Sequence, residues 1–192
     1  MNVENPHNTT QRWFALRVKS RCEKAVGAMV RNKGFEEFLP VYECRRSWSD
    51  RVKASVQPLF PGYVFCRLDP QLRLPVLTIP GVLHFVGIGK IPTPIEDGEI
   101  AAIQAAVGSG LLTEPWPYVE VGQRVRLKYP LVGLEGVLVG SSKQDRIIIS
   151  VTVLQRSVAV TIERHWATPV YRAPQAGSDG NREPSKTNLR IA

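Results

Sequence analysis

A segment with two prolines divides this chain of 192 residues into two stretches of different pattern. Residues 109–120 read SGLLTEPWPYVE, and Pro115 and Pro117 disfavour a continuous helix there. Strand-like and helical patterns mix before this segment, whereas short strand-like runs follow one another after it. Each part is long enough to bury a modest core. We therefore expect two small domains, residues 12–108 and 121–170, joined by a linker over 109–120.

The first part shows the alternation of a half-buried strand. Phe14, Leu16 and Val18 share one face, and Trp13, Ala15 and Arg17 share the other. Ser20 followed by Glu23 predicts a capping box at the start of a helix over 21–33, which Gly34 ends. The same patterns predict further elements at Phe38–Cys44, Tyr63–Leu68 and Val82–Val86 (strands) and Ile95–Val107 (helix). An α+β fold with an antiparallel sheet and flanking helices is expected.

The second part predicts a small SH3-like β-barrel. Short apolar runs occur at Gln123–Lys128, Gly136–Gly140, Arg146–Val153 and Ser157–Ile162, between turns rich in Gly, Ser and Asp. The β-branched, alternating run from Ile147 to Val153 favours strand over helix.

Charge and composition limit the classes of function. Residues 12–53 hold eleven Lys or Arg against five acids, which indicates a surface for a polyanion or simply a solvated charged face. The sequence has no apolar run of ~18 residues and no signal-peptide pattern, so we expect a cytoplasmic protein without a membrane span. The terminal segments 1–11 and 171–192 are polar and predicted to be disordered.

The sequence predicts neither catalysis nor a cofactor. His7, His84 and His165 are scattered, the cysteines at 22, 44 and 66 have no metal-ligand spacing, and no HExxH or GxSxG motif is present. The spacing favours reduced cysteines that act as small core residues.

Five segments in sequence order carry a resemblance to a known family. They are RWFALRVKSRCEKAV, PLFPGYVF, IPGVLHFVG, PTPIEDGEIAAI and GQRVRLKYPLVGLEGVLVG. Together they resemble the NusG family of transcription elongation factors, with its NusG amino-terminal domain and carboxy-terminal KOW domain. The stretch Val139–Ile162 looks most like the specialised RfaH-, LoaP- and UpxY-type antiterminator paralogues.

The resemblance implies that the first domain binds the clamp of the largest RNA polymerase subunit. The family's clamp-binding positions fall on Trp13, Phe60, Pro61, Gly62 and Tyr63, which strand parity predicts as an exposed patch; the alternative is that the aromatics are ordinary core residues. The gate-loop positions fall on Thr78, Ile79, Pro80 and Gly81. Upstream or non-template DNA would meet the basic and aromatic side chains of Arg17, Lys19, Arg45, Arg46, Trp48 and Arg51.

The resemblance implies a second partner for the KOW domain, either a small-subunit ribosomal protein or Rho. The corresponding positions are Leu131, Leu134, Gly136, Val153, Leu154, Gln155 and Arg156, although Leu154 also fits a buried barrel position. A monomeric transcription elongation or antitermination factor is expected. The alternative is a KOW-type RNA-binding protein of the ribosome or its assembly, which the weakly charged residues 111–170, with seven Lys or Arg against five acids, do not favour.

Overall fold

The computed structural model describes residues 11–48, 51–89, 91–118, 122–140 and 145–170. The segments 1–10 and 171–192, predicted to be disordered, lie outside the described residues, as do positions 119 and 120 of the predicted linker. We call residues 11–108 the amino-terminal module and residues 113–170 the β module.

The amino-terminal module is built on an antiparallel sheet. Its strands stand in the order β2, β5, β1, β6, and their bounds are β1 (Arg12–Val18), β2 (Glu36–Phe38), β5 (Tyr63–Leu68) and β6 (Val82–Phe85). Helices α1 (Glu23–Asn32), α2 (Leu74–Leu77) and α3 (Asp97–Gly108) connect and cover the strands. A short hairpin of β7 (Gly87–Ile88) and β8 (Ile91–Pro92) precedes α3.

The two faces of β1 separate as the alternation predicts. Phe14, Leu16 and Val18 belong to a buried cluster with Val26 and Val30 of α1. The opposite face belongs to another buried cluster, which contains Trp13, Ala15, Phe60 and Phe65 with Ile100 and Ile103 of α3. The sheet is therefore covered by helices on both sides.

The start of α1 differs from the prediction. The helix begins after Cys22, whose side chain makes no capping hydrogen bond, so Ser20 does not cap it. Glu23 is instead turned towards the sheet, where it accepts a hydrogen bond from the backbone of Gly62. The predicted end is confirmed, because Gly34 adopts a φ of +85°.

The basic segment that contains Arg45, Arg46 and Arg51 forms a hairpin. Strand β3 (Val41–Trp48) pairs antiparallel with β4 (Arg51–Pro58), from Val41 opposite Pro58 to Trp48 opposite Arg51.

The β module is an antiparallel sheet of strands in the order β14, β10, β11, β12, β13, β9. The bounds are β9 (Thr113–Pro117), β10 (Gln123–Leu127), β11 (Glu135–Gly140), β12 (Asp145–Val151), β13 (Arg156–Ile162) and β14 (Ala167–Pro169). Apolar side chains of β10, β12 and β13, among them Val125, Ile147, Ile149 and Val160, form the interior. The α+β class and the strand character of 145–151 are confirmed.

The predicted linker is wrong in its middle. Thr113–Pro117 forms strand β9, in which Thr113 lies opposite Val160 and Pro117 opposite Arg156. Strand β9 stands at the end of the strand order, and prolines are tolerated in an edge strand because one side of its backbone needs no partner. The connection between the modules is therefore shorter than residues 109–120.

Candidate functional site

A tight turn between β4 and β5 presents Tyr63 at the end of the sheet. Pro61 is exposed and Gly62 has a φ of +82°, a left-handed value that favours glycine. Tyr63 donates its backbone N–H to the carbonyl of Phe60 over 3.1 Å, which closes the turn. The guanidinium carbon of Arg17, on the neighbouring strand, lies 4.8 Å from the centroid of the Tyr63 ring. The turn thus holds a half-buried tyrosine in a defined direction.

Two of the predicted clamp-binding aromatics are not exposed. Trp13 retains 4% and Phe60 1% of their accessible surface. Phe60 packs edge-on against Phe65, with ring centroids 5.4 Å apart, and Trp13 packs edge-on against Phe38. The predicted exposed patch of three aromatics is therefore wrong for Trp13 and Phe60, which form a floor beneath the half-buried Tyr63.

The β module takes part in covering this face. The buried cluster that contains Trp13 and Phe60 also contains residues of the β module, among them Val151 and Leu154. The guanidinium carbon of Arg156 lies 5.7 Å from the centroid of the Tyr63 ring, so Tyr63 interacts with an arginine from each module. The burial of the aromatic face therefore belongs to an arrangement in which the two modules are in contact.

Hydrogen bonds also join the modules at the start of α3. The hydroxyl of Thr152 donates to Oε1 of Glu99 over 2.7 Å, and the backbone N–H of Thr152 lies 3.3 Å from each oxygen of that carboxylate. Residues of α3 that line the cleft next to this contact are small, including Gly98, Ala101 and Ala105. Such side chains permit the close approach of another element.

The predicted gate-loop segment follows α2. Thr78 and Pro80 are exposed, whereas Ile79 is buried in the cluster beneath α1 and Gly81 is half-buried. Gly81 has a φ of +96° and its carbonyl accepts a hydrogen bond from the N–H of Lys19 over 2.8 Å. The segment is therefore anchored by Ile79 and Gly81 and presents Thr78 and Pro80.

The predicted nucleic-acid residues divide into distinct groups. Lys19 is exposed. Arg17 is half-buried and directs its guanidinium to the Tyr63 ring and, over 3.5 Å, to the carbonyl of Gly62, so its contacts are those of a structural residue. The backbones of the other four lie on the β3–β4 hairpin, and their side chains lie outside the described residues: Arg45, Arg46, Trp48 and Arg51.

The predicted partner surface of the β module is partly buried. Leu134 and Leu154 each retain 8% of their accessible surface, so the buried alternative for Leu154 is confirmed. Leu131 and Val153 are half-buried, and Gln155 and Arg156 are exposed. A Cβ at the remaining predicted position, Gly136, would stand 2.5 Å from the carbonyl oxygen of Ile148, so close strand packing requires this glycine. The exposed part of the predicted surface is the turn that faces the amino-terminal module.

A cleft of about 850 Å³ lies between α3 and the β module. Glu99, Tyr118, Arg124 and residues 130–137 are among its lining. Within the described ranges, no group of His, Cys, Asp and Glu is arranged to hold a metal ion, and no described helix is long and apolar enough to cross a membrane.

The cysteines differ in their surroundings. Cys66 is buried, and burial raises the pKa of its thiol from 9.0 to about 12. Cys22 and Cys44 are free thiols and half-buried. The prediction of small core residues therefore holds for Cys66. Cys22 is half-buried and packs against the same cluster, whereas Cys44 is half-buried on β3.

The amino-terminal module matches a known family. Residues 11–104 match the family described as "Transcription termination factor nusG". This chain belongs to the NusG family. The protein of Campylobacter jejuni named "Transcription termination/antitermination protein NusG" is 28% identical over 130 residues, which cover 62% of this chain and 73% of that protein. The Helicobacter pylori (strain 26695) protein of the same name is 27% identical over 127 residues, which cover 60% of this chain and 72% of that protein.

A solved structure described as "Domain interaction in Thermotoga maritima NusG" aligns with 84% of this chain and 98% of that chain, at 20% identity and a TM-score of 0.48. The family match and the sequence relatives confirm the predicted NusG resemblance. The chain is accordingly a transcription elongation and antitermination factor of the NusG family.

Proposed function

We propose that this NusG-family factor acts by binding RNA polymerase through its amino-terminal module, with the Pro61–Tyr63 turn as the centre of the contact. The observation that carries the proposal is the geometry of Tyr63, which stands on a floor of buried aromatics and is held by Arg17. Aromatic side chains fixed in one direction are typical anchors of protein interfaces because they lose little conformational entropy on binding.

The polymerase clamp is the proposed partner of this turn. Pro61 and Tyr63 supply the contact surface, while Trp13 and Phe60 support it from below. The exposed Thr78 and Pro80 would extend the surface to a second region of polymerase, which we infer from the family resemblance to be the gate loop. A factor that joins clamp and gate loop stabilises one polymerase conformation by binding it more tightly than others, and this activity needs no catalytic residue.

Nucleic acid is a proposed secondary partner. Lys19 and the basic β3–β4 hairpin, from Arg45 to Arg51, would follow phosphates of upstream or non-template DNA. Arg17 is left out of this proposal because its guanidinium is engaged by the Tyr63 turn. We propose the cytoplasm as the site of action, because RNA polymerase and its DNA are the proposed partners.

The β module is proposed to recruit a second protein, a small-subunit ribosomal protein or Rho, through the turn that includes Gln155 and Arg156. In this structure the same turn faces Tyr63. The proposed partner surfaces of the two modules therefore cover each other, and we expect the modules to separate when polymerase binds.

The alternative of a KOW-type RNA-binding protein gains no support from the β module. Arg146 is 3.0 Å from Glu114 and Arg164 is 3.2 Å from Asp145, and Arg126 pairs with Glu135. Arginines paired in this way offer less net charge to RNA phosphates.

An elongation assay on a template with a defined pause tests the proposed function. Wild type is expected to shorten the pause lifetime or to increase read-through of a terminator, and Tyr63→Ala is expected to lose this effect. Tyr129→Ala is the matched control, because Tyr129 is an exposed tyrosine of the β module. Equal activity of wild type and Tyr63→Ala would contradict the assignment of this turn.

A further inference from the structure

Glu23 is a buried carboxylate whose partner lies far away in the sequence. It retains 7% of its accessible surface and stands in the first turn of α1. Its Oε1 accepts a buried hydrogen bond of 2.8 Å from the backbone N–H of Gly62, 39 residues along the chain. Burying a carboxylate is unfavourable unless strong hydrogen bonds compensate for the lost hydration. We infer that Glu23 is buried at this place because it holds the backbone N–H of Gly62.

The peptide units around Gly62 are held from opposite sides. Glu23 accepts from the N–H, while the carbonyl accepts from the N–H of Val18 over 3.0 Å and from Nη1 of Arg17 over 3.5 Å. Arg17 also lies over the ring of Tyr63, the next residue. A rotation at Gly62 would break these contacts together and redirect Tyr63.

The start of α1 also contacts the second proposed polymerase loop. A Cβ added at Gly81 would lie 3.3 Å from Cβ of Cys22 and 3.2 Å from Cγ2 of Val26, so the Gly81 turn packs directly on this helix. The start of α1 therefore contacts both the Gly81 turn and the Pro61–Tyr63 turn, and Glu23 makes the polar contact with the second of them.

We propose that Glu23 is a positioning residue that fixes the Pro61–Tyr63 turn, and so presents Tyr63 to polymerase, without touching polymerase itself. The inference deepens the proposed function and rests on it for the identity of the partner. The fixing of the turn is a property of the free protein and is measured without a partner.

The first arm of the test measures amide hydrogen exchange of Gly62 in the full chain by NMR. Glu23→Leu replaces the carboxylate acceptor with an apolar side chain of similar volume, whereas Glu23→Gln retains an oxygen acceptor but removes its charge. Lys24→Ala, at the exposed neighbouring position, is the control. We expect the exchange rate of the Gly62 amide to rise about tenfold or more in Glu23→Leu, because this variant has no acceptor. The rise should be smaller in Glu23→Gln, which keeps a neutral acceptor that bonds more weakly than the carboxylate. Amides within α1 should keep their wild-type protection in both variants.

The second arm measures affinity for core RNA polymerase in a double-mutant cycle with Tyr63→Ala. We expect Glu23→Leu to weaken binding about tenfold in the wild-type background and less than about twofold in the Tyr63→Ala background, since Glu23 acts through Tyr63. If Glu23→Leu does not fold, Glu23→Gln takes its place in both arms, with a smaller effect of the same sign.

Unchanged exchange at Gly62 would overturn the proposal, and so would an equal loss of affinity in both backgrounds. If folded wild type does not bind polymerase, the proposed function fails. The exchange arm would then still decide whether Glu23 fixes the turn.

Discussion

The contact between Glu99 and Thr152 predicts that loosening the modules strengthens polymerase binding. Glu99→Ala removes the carboxylate that accepts from both the hydroxyl and the N–H of Thr152. Hydrogen bonds to a charged group contribute about 1.5–3 kcal/mol, and their exposure here reduces the sum to about 1 kcal/mol. A free energy of that size changes the ratio of closed to open molecules roughly fivefold.

Apparent affinity is the intrinsic affinity multiplied by the binding-competent fraction of molecules. If the closed arrangement predominates, Glu99→Ala is expected to lower the apparent Kd for core RNA polymerase by up to about fivefold. Thr152→Val, which keeps the backbone N–H and removes the hydroxyl, should act in the same direction with a smaller effect.

The assay is a fluorescence titration of labelled full chain with core RNA polymerase. Glu96→Ala is the matched control, because Glu96 is an exposed acid at the start of the same helix and makes no side-chain capping hydrogen bond. Weaker or unchanged binding by both Glu99→Ala and Thr152→Val would refute the reasoning that the β module competes with polymerase.

Further predictions concern the cores of the two modules. Gly136→Ala should lower the free energy of unfolding by about 1–3 kcal/mol through overpacking, measured by urea denaturation. Gly108→Ala is the control, because a Cβ there meets no atom within 4 Å, and an equal loss in this variant would contradict the packing explanation. A thiol reagent at pH 8 should label Cys22 and Cys44 in the native protein and Cys66 only after unfolding; rapid native labelling of Cys66 would contradict its burial. Burial raises the pKa of the Cys66 thiol from 9.0 to about 12 in the folded protein. The free energy of unfolding should therefore keep the contribution of Cys66 below pH 9 and lose about 1.4 kcal/mol per pH unit between pH 9 and 12. Cys66→Ala should remove this part of the alkaline decline in stability, and an unaltered slope would contradict the prediction.

Local periodicity was sufficient to predict the faces of β1. Alternation put Trp13 opposite Phe14, and the structure confirms this separation. Alternation does not reveal what covers a face, however. Trp13 and Phe60 belong to a buried cluster with residues of α3 and of the β module, which are distant in sequence. Their burial therefore depends on tertiary contacts that a strand pattern does not contain.

The role of Glu23 was hidden for a related reason. Its spacing from Ser20 fits a capping box, a local motif, whereas its partner in the fold is Gly62. Strand β9 was missed because Pro115 and Pro117 are strong signals against regular structure, and only the position at a sheet edge makes them compatible with a strand. The clues available in the sequence were the apolar and aromatic residues around these prolines.

Direct binding of the full chain to core RNA polymerase tests the central claim most directly. Wild type, Tyr63→Ala and the control Tyr129→Ala should first be shown to have the same melting temperature. We expect micromolar or tighter binding by wild type and Tyr129→Ala, and a loss of about tenfold or more in Tyr63→Ala, as for an interface anchor. Absence of binding by folded wild type, or equal binding by Tyr63→Ala, would contradict the account.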